Sequence, residues 1–171
     1  MEVGTDEKKV AQLVEMFRSH GSKTKYSHEI LGYNERMDGI QGAVLSVKLR
    51  HLDQWNKKKR AISNKYFEGI KNPLITLQSI PKEVTPAHHL FVILVHDRLK
   101  FIEYLKARGV GAALHYPIPC HLQKAYRNLG YAKGDLPKAE HIADHCVSLP
   151  LFPELTDKEV ETVIDVVNAY A

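Results

Sequence analysis

The sequence predicts an α/β (α+β) protein in which long helices lead into a small sheet covered by helices. Two observations predict it. Apolar residues recur at helical spacing over most of residues 6–70, whereas short apolar runs of strand length alternate with helical patterns after Asn72-Pro73. The chain has 171 residues, enough for one domain with a core or for two small lobes. We therefore expect two regions, residues 1–72 and 73–171.

The first region is predicted to hold two helices joined by a polar loop. The first helix covers about residues 6–19, because its apolar residues recur every three or four positions and Gly21 follows as a stop. Residues 22–35 are predicted to be loop. The second helix covers about residues 36–70, and its pattern changes phase at His51–Asp53, where we expect a kink or break. Its apolar stripe begins with Met37, Ile40, Val44 and Val47.

Three strands are predicted in the second region. Leu74–Ile80 alternates apolar and polar residues, as a strand with one buried face does. Leu90–Val95 is continuously apolar, which is typical of a central strand. Val110–Tyr116 is the third predicted strand, and two prolines end it.

Helices are predicted to cover this sheet. Asp97 can cap the first of them. Two more are expected at about residues 121–129 and 137–146. The last begins at a capping box, in which Thr156 and Glu159 satisfy each other's backbone donors.

Composition excludes several classes of protein. Hydrophobic residues make up 44% and charged residues 26% of the chain, as in ordinary globular proteins. No apolar run approaches the roughly 20 residues that cross a bilayer, and no signal peptide is visible. Because Cys120 and Cys146 cannot form a disulfide framework, we expect a reduced, cytoplasmic location.

Charge and histidine patterns indicate neither a nucleic-acid surface nor a metal site. The net charge is +4, and no second dense basic run accompanies Lys57–Arg60. His141 and His145 are four residues apart and could share a metal ion, but neither HExxH nor paired CxxC accompanies them. We therefore expect no nucleic acid, no membrane and no metal as partners.

Three polar segments could carry chemistry. Arg18–Gly21 is either a helix cap or part of a site, and Gly32–Met37 is either a helix cap or an anion site with an arginine in the first turn. His115–His121 follows a predicted strand and contains two prolines. It is either a rigid turn or a loop that presents His115, Tyr116 and His121 to a ligand.

These segments also carry a family resemblance. In order along the chain stand MFRSHGS, GYNERMDGIQGAVLSVKL, HHLFVILV, ARGVGAALHYPIPCHLQKAY and SLPLFPELTDKEVETVI. Together they resemble the C-terminal part of the DegT/DnrJ/StrS aminotransferases. That family uses pyridoxal 5′-phosphate (PLP) to aminate nucleotide-linked keto sugars, usually with glutamate as donor. The resemblance implies such a function here, on a pathway to lipopolysaccharide, capsule or another glycan.

The resemblance also implies a fold and an assembly. The family has the aspartate aminotransferase fold, fold type I, and works as a dimer with shared active sites. Residues 73–171 would be its small C-terminal domain. Residues 1–72 would be a helical remnant of the large PLP domain plus the long connecting helix, with most of the large domain absent.

Six residues match family site motifs. Asn34 and Arg36 match GxNxR, a motif that reaches the cofactor phosphate of the partner subunit, and His20 matches RxHG near the same site. The resemblance thus implies that these three bind the cofactor. The HYPxPxH loop, with His115, Tyr116 and His121, borders the sugar-nucleotide pocket and implies substrate binding.

The family's Schiff-base lysine has no counterpart among these motifs. It precedes the first of them, so we expect it to lie before Met1, and we assign no catalytic residue to this chain. PLP is then expected in the intact enzyme but not on this chain alone, which would be inactive. The alternative is a non-catalytic dimerisation or regulatory module derived from the family. In either case we expect self-association through Ile40, Val44 and Val47, because an exposed apolar stripe is costly in water.

Overall fold

The computed structural model describes residues 4–171. The chain forms two compact units, one up to His51 and one from Leu52 onward. This border lies inside a single long helix, 21 residues before the predicted border at Asn72-Pro73. The later part of that helix buries Ile62 and Tyr66 in the core of the second unit. The division into functional domains at residue 72 stays a prediction.

The first unit contains a helix and a small hairpin. Helix α1 runs from Lys8 to Arg18, and strands β1 (Ser22–Thr24) and β2 (Ser27–His28) pair in antiparallel fashion. The hairpin lies where we predicted only loop. Its strands are short and its side chains are mostly exposed, so no alternation of apolar and polar residues marked it.

Helix α2 runs without interruption from Gly39 to Gly69. The predicted kink or break near His51–Asp53 is therefore wrong as far as a break is concerned, and the kink stays a prediction. The change of phase in the apolar pattern coincides instead with the border between the two units. Residues before it are largely exposed within their own unit, whereas Ile62, Ser63 and Tyr66 after it are buried.

The second unit is built on a three-stranded antiparallel sheet. Strand β4 (Phe91–Val95) lies between β3 (Ile75–Thr76) and β5 (Cys146–Leu149), which confirms the prediction of a central strand. In the register of the sheet, Ile93 is opposite Val147. This sheet holds the apolar centre of the unit.

The third predicted strand, Val110–Tyr116, is wrong. Only Ala113 of this segment pairs with the sheet, through its N–H and carbonyl to Ser148 at 3.2 and 2.8 Å. Strand β5, in which Ser148 interrupts the apolar residues, pairs with β4 instead. Sequence pattern favoured the wrong segment because β5 follows a helix directly and has no turn signal before it.

Helices cover the sheet as expected. They are α3 (Arg98–Ala107), α4 (Pro137–His145) and α5 (Asp157–Asn168), and two short 3-10 helices replace the α-helix predicted at about residues 121–129 (Cys120–Leu122 and Lys124–Leu129). No helix among residues 4–171 combines the length and apolarity needed to cross a membrane.

Caps fix the ends of these helices. The Asp97 carboxylate accepts from the N–H of Lys100 at 3.1 Å at the start of α3. The capping box of Thr156 and Glu159 is present at the start of α5. At the end of α2, Asn168 accepts from the N–H of Lys71 at 2.7 Å and donates to the carbonyl of Gly69 at 2.9 Å. This side chain ties the long helix to the last one.

Aromatic side chains fill the core of the second unit. Tyr66 and Phe91 meet edge to face, with ring centroids 4.9 Å apart, and the Tyr66 hydroxyl donates to the carbonyl of Pro150 at 2.8 Å. Burial raises the pKa of this phenol above its usual value. Phe101 and Tyr170 pack in the same way at 4.8 Å. This well-packed core supports the polar residues of the second unit that are described below.

Candidate functional site

The first site segment joins two of the sequence motifs. Ser19 and Asn34 form an antiparallel bridge. The N–H of His20 donates to the carbonyl of Tyr33 at 2.8 Å, and the N–H of Glu35 donates to the carbonyl of Arg18 at 3.0 Å. The end of α1 and the segment that precedes α2 therefore lie side by side, and this pairing brings His20 next to the segment of Asn34 and Arg36.

Glycines permit this close pairing. Gly21 has φ +76°, a left-handed conformation that favours glycine. A Cβ on Gly32 would lie 2.0 Å from the backbone nitrogen of Gly21, so no larger residue fits there. Each motif thus supplies one glycine to the same backbone contact.

Asn34 and Arg36 leave hydrogen-bond donors available. Both side chains are exposed, and neither bonds to another side chain or ion-pairs within residues 4–171. Arg36 lines a groove of 1190 Å³ together with Arg18, whereas Asn34 and His20 do not line it. A guanidinium and an amide are donors suited to a dianionic phosphate. These residues therefore fit the phosphate end of a cofactor such as PLP.

The second site segment lies in the other unit and follows residue 114. Tyr116 and His121 line a cavity of 570 Å³ whose wall is mostly apolar. His115 does not line it. The His115 imidazole is instead half-buried, with Nδ1 2.9 Å from the hydroxyl of Ser148 on β5. The structure thus brings Tyr116 and His121 together and places His115 against the sheet.

Glu140 is a polar residue of this region that sequence analysis missed. Its carboxylate lies in the first turns of α4 and is 3.0 Å from Nε2 of His121. It also accepts from the N–H groups of Gly134 and Leu136 at 2.8 and 3.3 Å. The hydrogen bond from Gly134 is the main reason that the Glu140 pKa is lowered, and those from His121 and Leu136 act in the same direction against the effect of burial.

Ser148 is the second residue that was missed. It is buried in β5 between apolar neighbours, and its hydroxyl contacts His115. No local signal in the sequence marks either residue, because the histidine that each one contacts lies 33 or 19 residues earlier in the chain.

The histidines considered as metal ligands lie against each other with their rings tilted. The rings of His141 and His145 are 4.2 Å apart, and Nδ1 of His145 donates to the carbonyl of His141 at 2.7 Å. Residues 4–171 contain no group of three or more His, Cys, Asp or Glu side chains placed to hold a metal ion. This pair carries no part of the candidate site.

The lysines of the first unit are exposed to solvent. Lys8, Lys9, Lys23 and Lys25 are all exposed. A lysine that binds PLP covalently must instead present its amine to a cofactor held in a shaped pocket. The surroundings of these four give no reason to assign that role to any of them.

The chain is similar to known proteins over almost its whole length. The model of the DegT/DnrJ/EryC1/StrS aminotransferase family matches residues 2–168. A pleiotropic regulatory protein from Geobacillus stearothermophilus is 38% identical over 94% of this chain and 44% of its own length. A dTDP-3-amino-3,4,6-trideoxy-alpha-D-glucose transaminase from Streptomyces venezuelae is 38% identical over 99% of this chain and 45% of its own length.

A solved structure is similar over the same extent. The crystal structure of DesV from S. venezuelae has a TM-score of 0.88 and 38% identity, covering 96% of this chain and 44% of that chain. The predicted fold is therefore confirmed. The chain spans about half the length of the relatives that it matches.

Proposed function

The chain belongs to the DegT/DnrJ/EryC1/StrS aminotransferase family, and from that premise we propose that it supplies the phosphate-side and substrate-side residues of a PLP-dependent sugar aminotransferase. The observation that carries the proposal is the pairing of the RxHG and GxNxR segments. This pairing leaves the side-chain donors of Asn34 and Arg36 free beside the RxHG segment, where close backbone contacts require glycine at positions 21 and 32.

The proposed role of the first unit is to bind an anion. Arg36 and Asn34 donate hydrogen bonds to the cofactor phosphate, and His20 lies near it. When bound, PLP supplies the electron sink through which an amino group passes from donor to acceptor. The residues of this chain hold and orient that group, because a guanidinium and an amide remain donors at neutral pH. In the assembled enzyme the phosphate would belong to the partner subunit's cofactor.

The second unit is proposed to face the substrate. Tyr116 and His121 give an apolar wall two polar groups, a phenol and an imidazole, with which it can bind sugar hydroxyls. His115, which is held by Ser148, belongs to the same loop. Such a wall suits a deoxygenated or partly apolar sugar, and the transaminase from S. venezuelae acts on a dTDP-linked trideoxy sugar. We propose a nucleotide-linked keto sugar as substrate and glutamate as amino donor, in cytoplasmic synthesis of lipopolysaccharide, capsule or another glycan.

We propose that these 171 residues alone do not transfer amino groups. The lysine that binds PLP in the family matches no position among the motifs found here, and the lysines of the first unit are exposed. Catalysis then requires residues outside this sequence. PLP would bind to the assembled enzyme and not stably to this chain alone.

A non-catalytic dimerisation or regulatory module is the alternative. The relative from G. stearothermophilus carries the name of a regulatory protein. The apolar stripe of α2 is also exposed, with Ile40 82% accessible. Oligomerisation without affinity for nucleotide sugars would favour this alternative.

Binding of dTDP-glucose to the isotopically labelled chain tests the proposal. We expect resonances of residues 115–121 to shift on titration. Tyr116→Ala should weaken binding about fivefold, because an aromatic contact contributes about 1 kcal/mol. The control is Tyr26→Ala, which removes a tyrosine that is 85% exposed in the other unit. Equal affinity of wild type and Tyr116→Ala, or no binding by the wild type, would contradict the proposed substrate side.

A further inference from the structure

Glu140 is the one acidic residue between positions 4 and 171 that is buried. Its side chain is 10% exposed and that of His121 is 5% exposed. Removing a carboxylate from water is costly, and an apolar pair of similar size would often serve stability equally well. The stability of the second unit therefore does not by itself account for a carboxylate at this position.

The carboxylate connects three separate pieces of chain. Its Oε1 accepts from Nε2 of His121, which ends the HYPxPxH motif and lies in the short 3-10 helix Cys120–Leu122. The same carboxylate accepts from the N–H of Gly134 at both oxygens, at 2.8 and 3.0 Å, and from that of Leu136. The loop before α4 and the loop before His121 are thus fixed by one group on α4.

This contact also determines which nitrogen of His121 carries a proton. A carboxylate only accepts hydrogen bonds, so Nε2 must be the donor. Within residues 4–171, Nδ1 of His121 makes no hydrogen bond to another residue. The imidazole therefore has one nitrogen committed to Glu140 and one available, and the ring lies in the wall of the 570 Å³ cavity.

Neighbouring side chains in that wall depend on the same anchor. Leu136 lines the cavity and its N–H is held by Glu140. Tyr131, which precedes the anchored loop, packs its ring against His121 at 6.2 Å between centroids. Releasing the carboxylate would free both sides of the cavity at once.

We propose that Glu140 is a positioning residue for the substrate side of the site, which fixes the orientation and protonated nitrogen of His121 and holds the facing loop at Gly134 and Leu136. The usefulness of this positioning rests on the proposed function, since it is the sugar substrate that Tyr116 and His121 would meet. Glu140 itself does not touch that substrate. It acts through His121 and the loop.

Ring-nitrogen resonances of His121 in the labelled chain test this directly. In the wild type we expect Nε2 to carry the proton at neutral pH, with a slowly exchanging hydrogen. In Glu140→Gln we expect that signal to move or to exchange rapidly, because the carboxamide is uncharged and must share one oxygen among the three donors. Glu161→Gln, a matched change at an exposed position of α5, should leave the His121 signal unchanged.

Affinity for dTDP-glucose gives the second readout. We expect Glu140→Gln to weaken it about tenfold, as for the loss of one hydrogen bond to a charged group. A wild-type His121 protonated only at Nδ1 would overturn the proposal, and that measurement needs no variant. A displaced His121 signal with unchanged affinity would overturn it too. Should the wild type bind no dTDP-glucose, the proposed function fails, and the His121 resonance alone decides whether Glu140 positions the ring.

Discussion

At the level of single residues, close backbone contacts explain why the RxHG and GxNxR motifs each contain a glycine, Gly21 and Gly32. Their backbones approach so closely that a Cβ on Gly32 would lie 2.0 Å from the nitrogen of Gly21. A Cβ on Gly21 would lie 1.7 Å from the carbonyl oxygen of Ile30. Since backbone atoms cannot move aside as a flexible side chain can, the pairing that aligns His20 with Asn34 depends on both positions being glycine.

Replacement of Gly32 by alanine should therefore open this pairing. We expect hydrogen exchange at the amides of His20 and Tyr33 to accelerate by at least about tenfold, since overpacking costs about 1–3 kcal/mol. Gly42→Ala is the matched control, because a Cβ there meets only the sulfur of Met37 at an ordinary 3.7 Å. It should leave both amides unchanged and strengthen α2. Unchanged protection in Gly32→Ala would show that the contact is not tight.

Site residues could be predicted from the sequence only where they belong to a recognisable motif. His115 and His121 stood out as histidines in a proline-stiffened loop. Their partners Ser148 and Glu140 lie 33 and 19 residues later and carry no local mark. Which polar residue reaches which histidine depends on the packing of β5 and α4, and a local pattern does not contain that information. The roles of all these residues in binding stay predictions.

Helix α2 shows most clearly, at the scale of elements, what periodicity predicts and what it omits. Its existence and nearly its full extent followed from spacing, as did the capped helices α3 and α5. The phase change at His51–Asp53 is real, but the break in the helix that we inferred from it is absent. One helix can bury different faces along its length, so a change of phase marks a change of neighbours and not a break in the hydrogen bonds.

Strand prediction succeeded for β4, whose five residues are all apolar. The apolar run of β4 is central in the sheet as expected, whereas Val110–Tyr116, which contains Gly111 and His115, makes only one bridge. The choice between that segment and β5 depends on pairing partners far away in the chain. Local propensity does not determine it.

The exposed stripe of α2 should drive self-association. Ile40, Val44 and Val47 are 82%, 53% and 57% exposed, and a continuous apolar surface of this kind is unfavourable in water. Size-exclusion chromatography with light scattering should give a concentration-dependent dimer for the wild type and a monomer for Val44→Glu. Ser46→Glu, about 200° around the same helix, should behave as the wild type does. A wild type that stays monomeric at high concentration would contradict this expectation.

In the molecule as a whole, each of the two units carries its own group of candidate site residues. The first offers the exposed hydrogen-bond donors of Asn34 and Arg36 on a glycine-dependent backbone pairing. The second offers a cavity wall with Tyr116 and His121, anchored by Glu140 on a well-packed sheet. A complete aminotransferase needs one further group, an amine that binds PLP covalently. We expect that no lysine of this chain supplies it.

Intact mass after incubation with PLP and reduction with borohydride tests whether any lysine of this chain binds PLP covalently. Reduction makes any bond between the aldehyde of PLP and a lysine permanent, so a specific site appears as one added phosphopyridoxyl group per chain. We expect only scattered, substoichiometric labelling of exposed lysines such as Lys23 and Lys25. A single stoichiometric adduct that maps to one lysine would contradict it, because this chain would then contain a PLP site of its own.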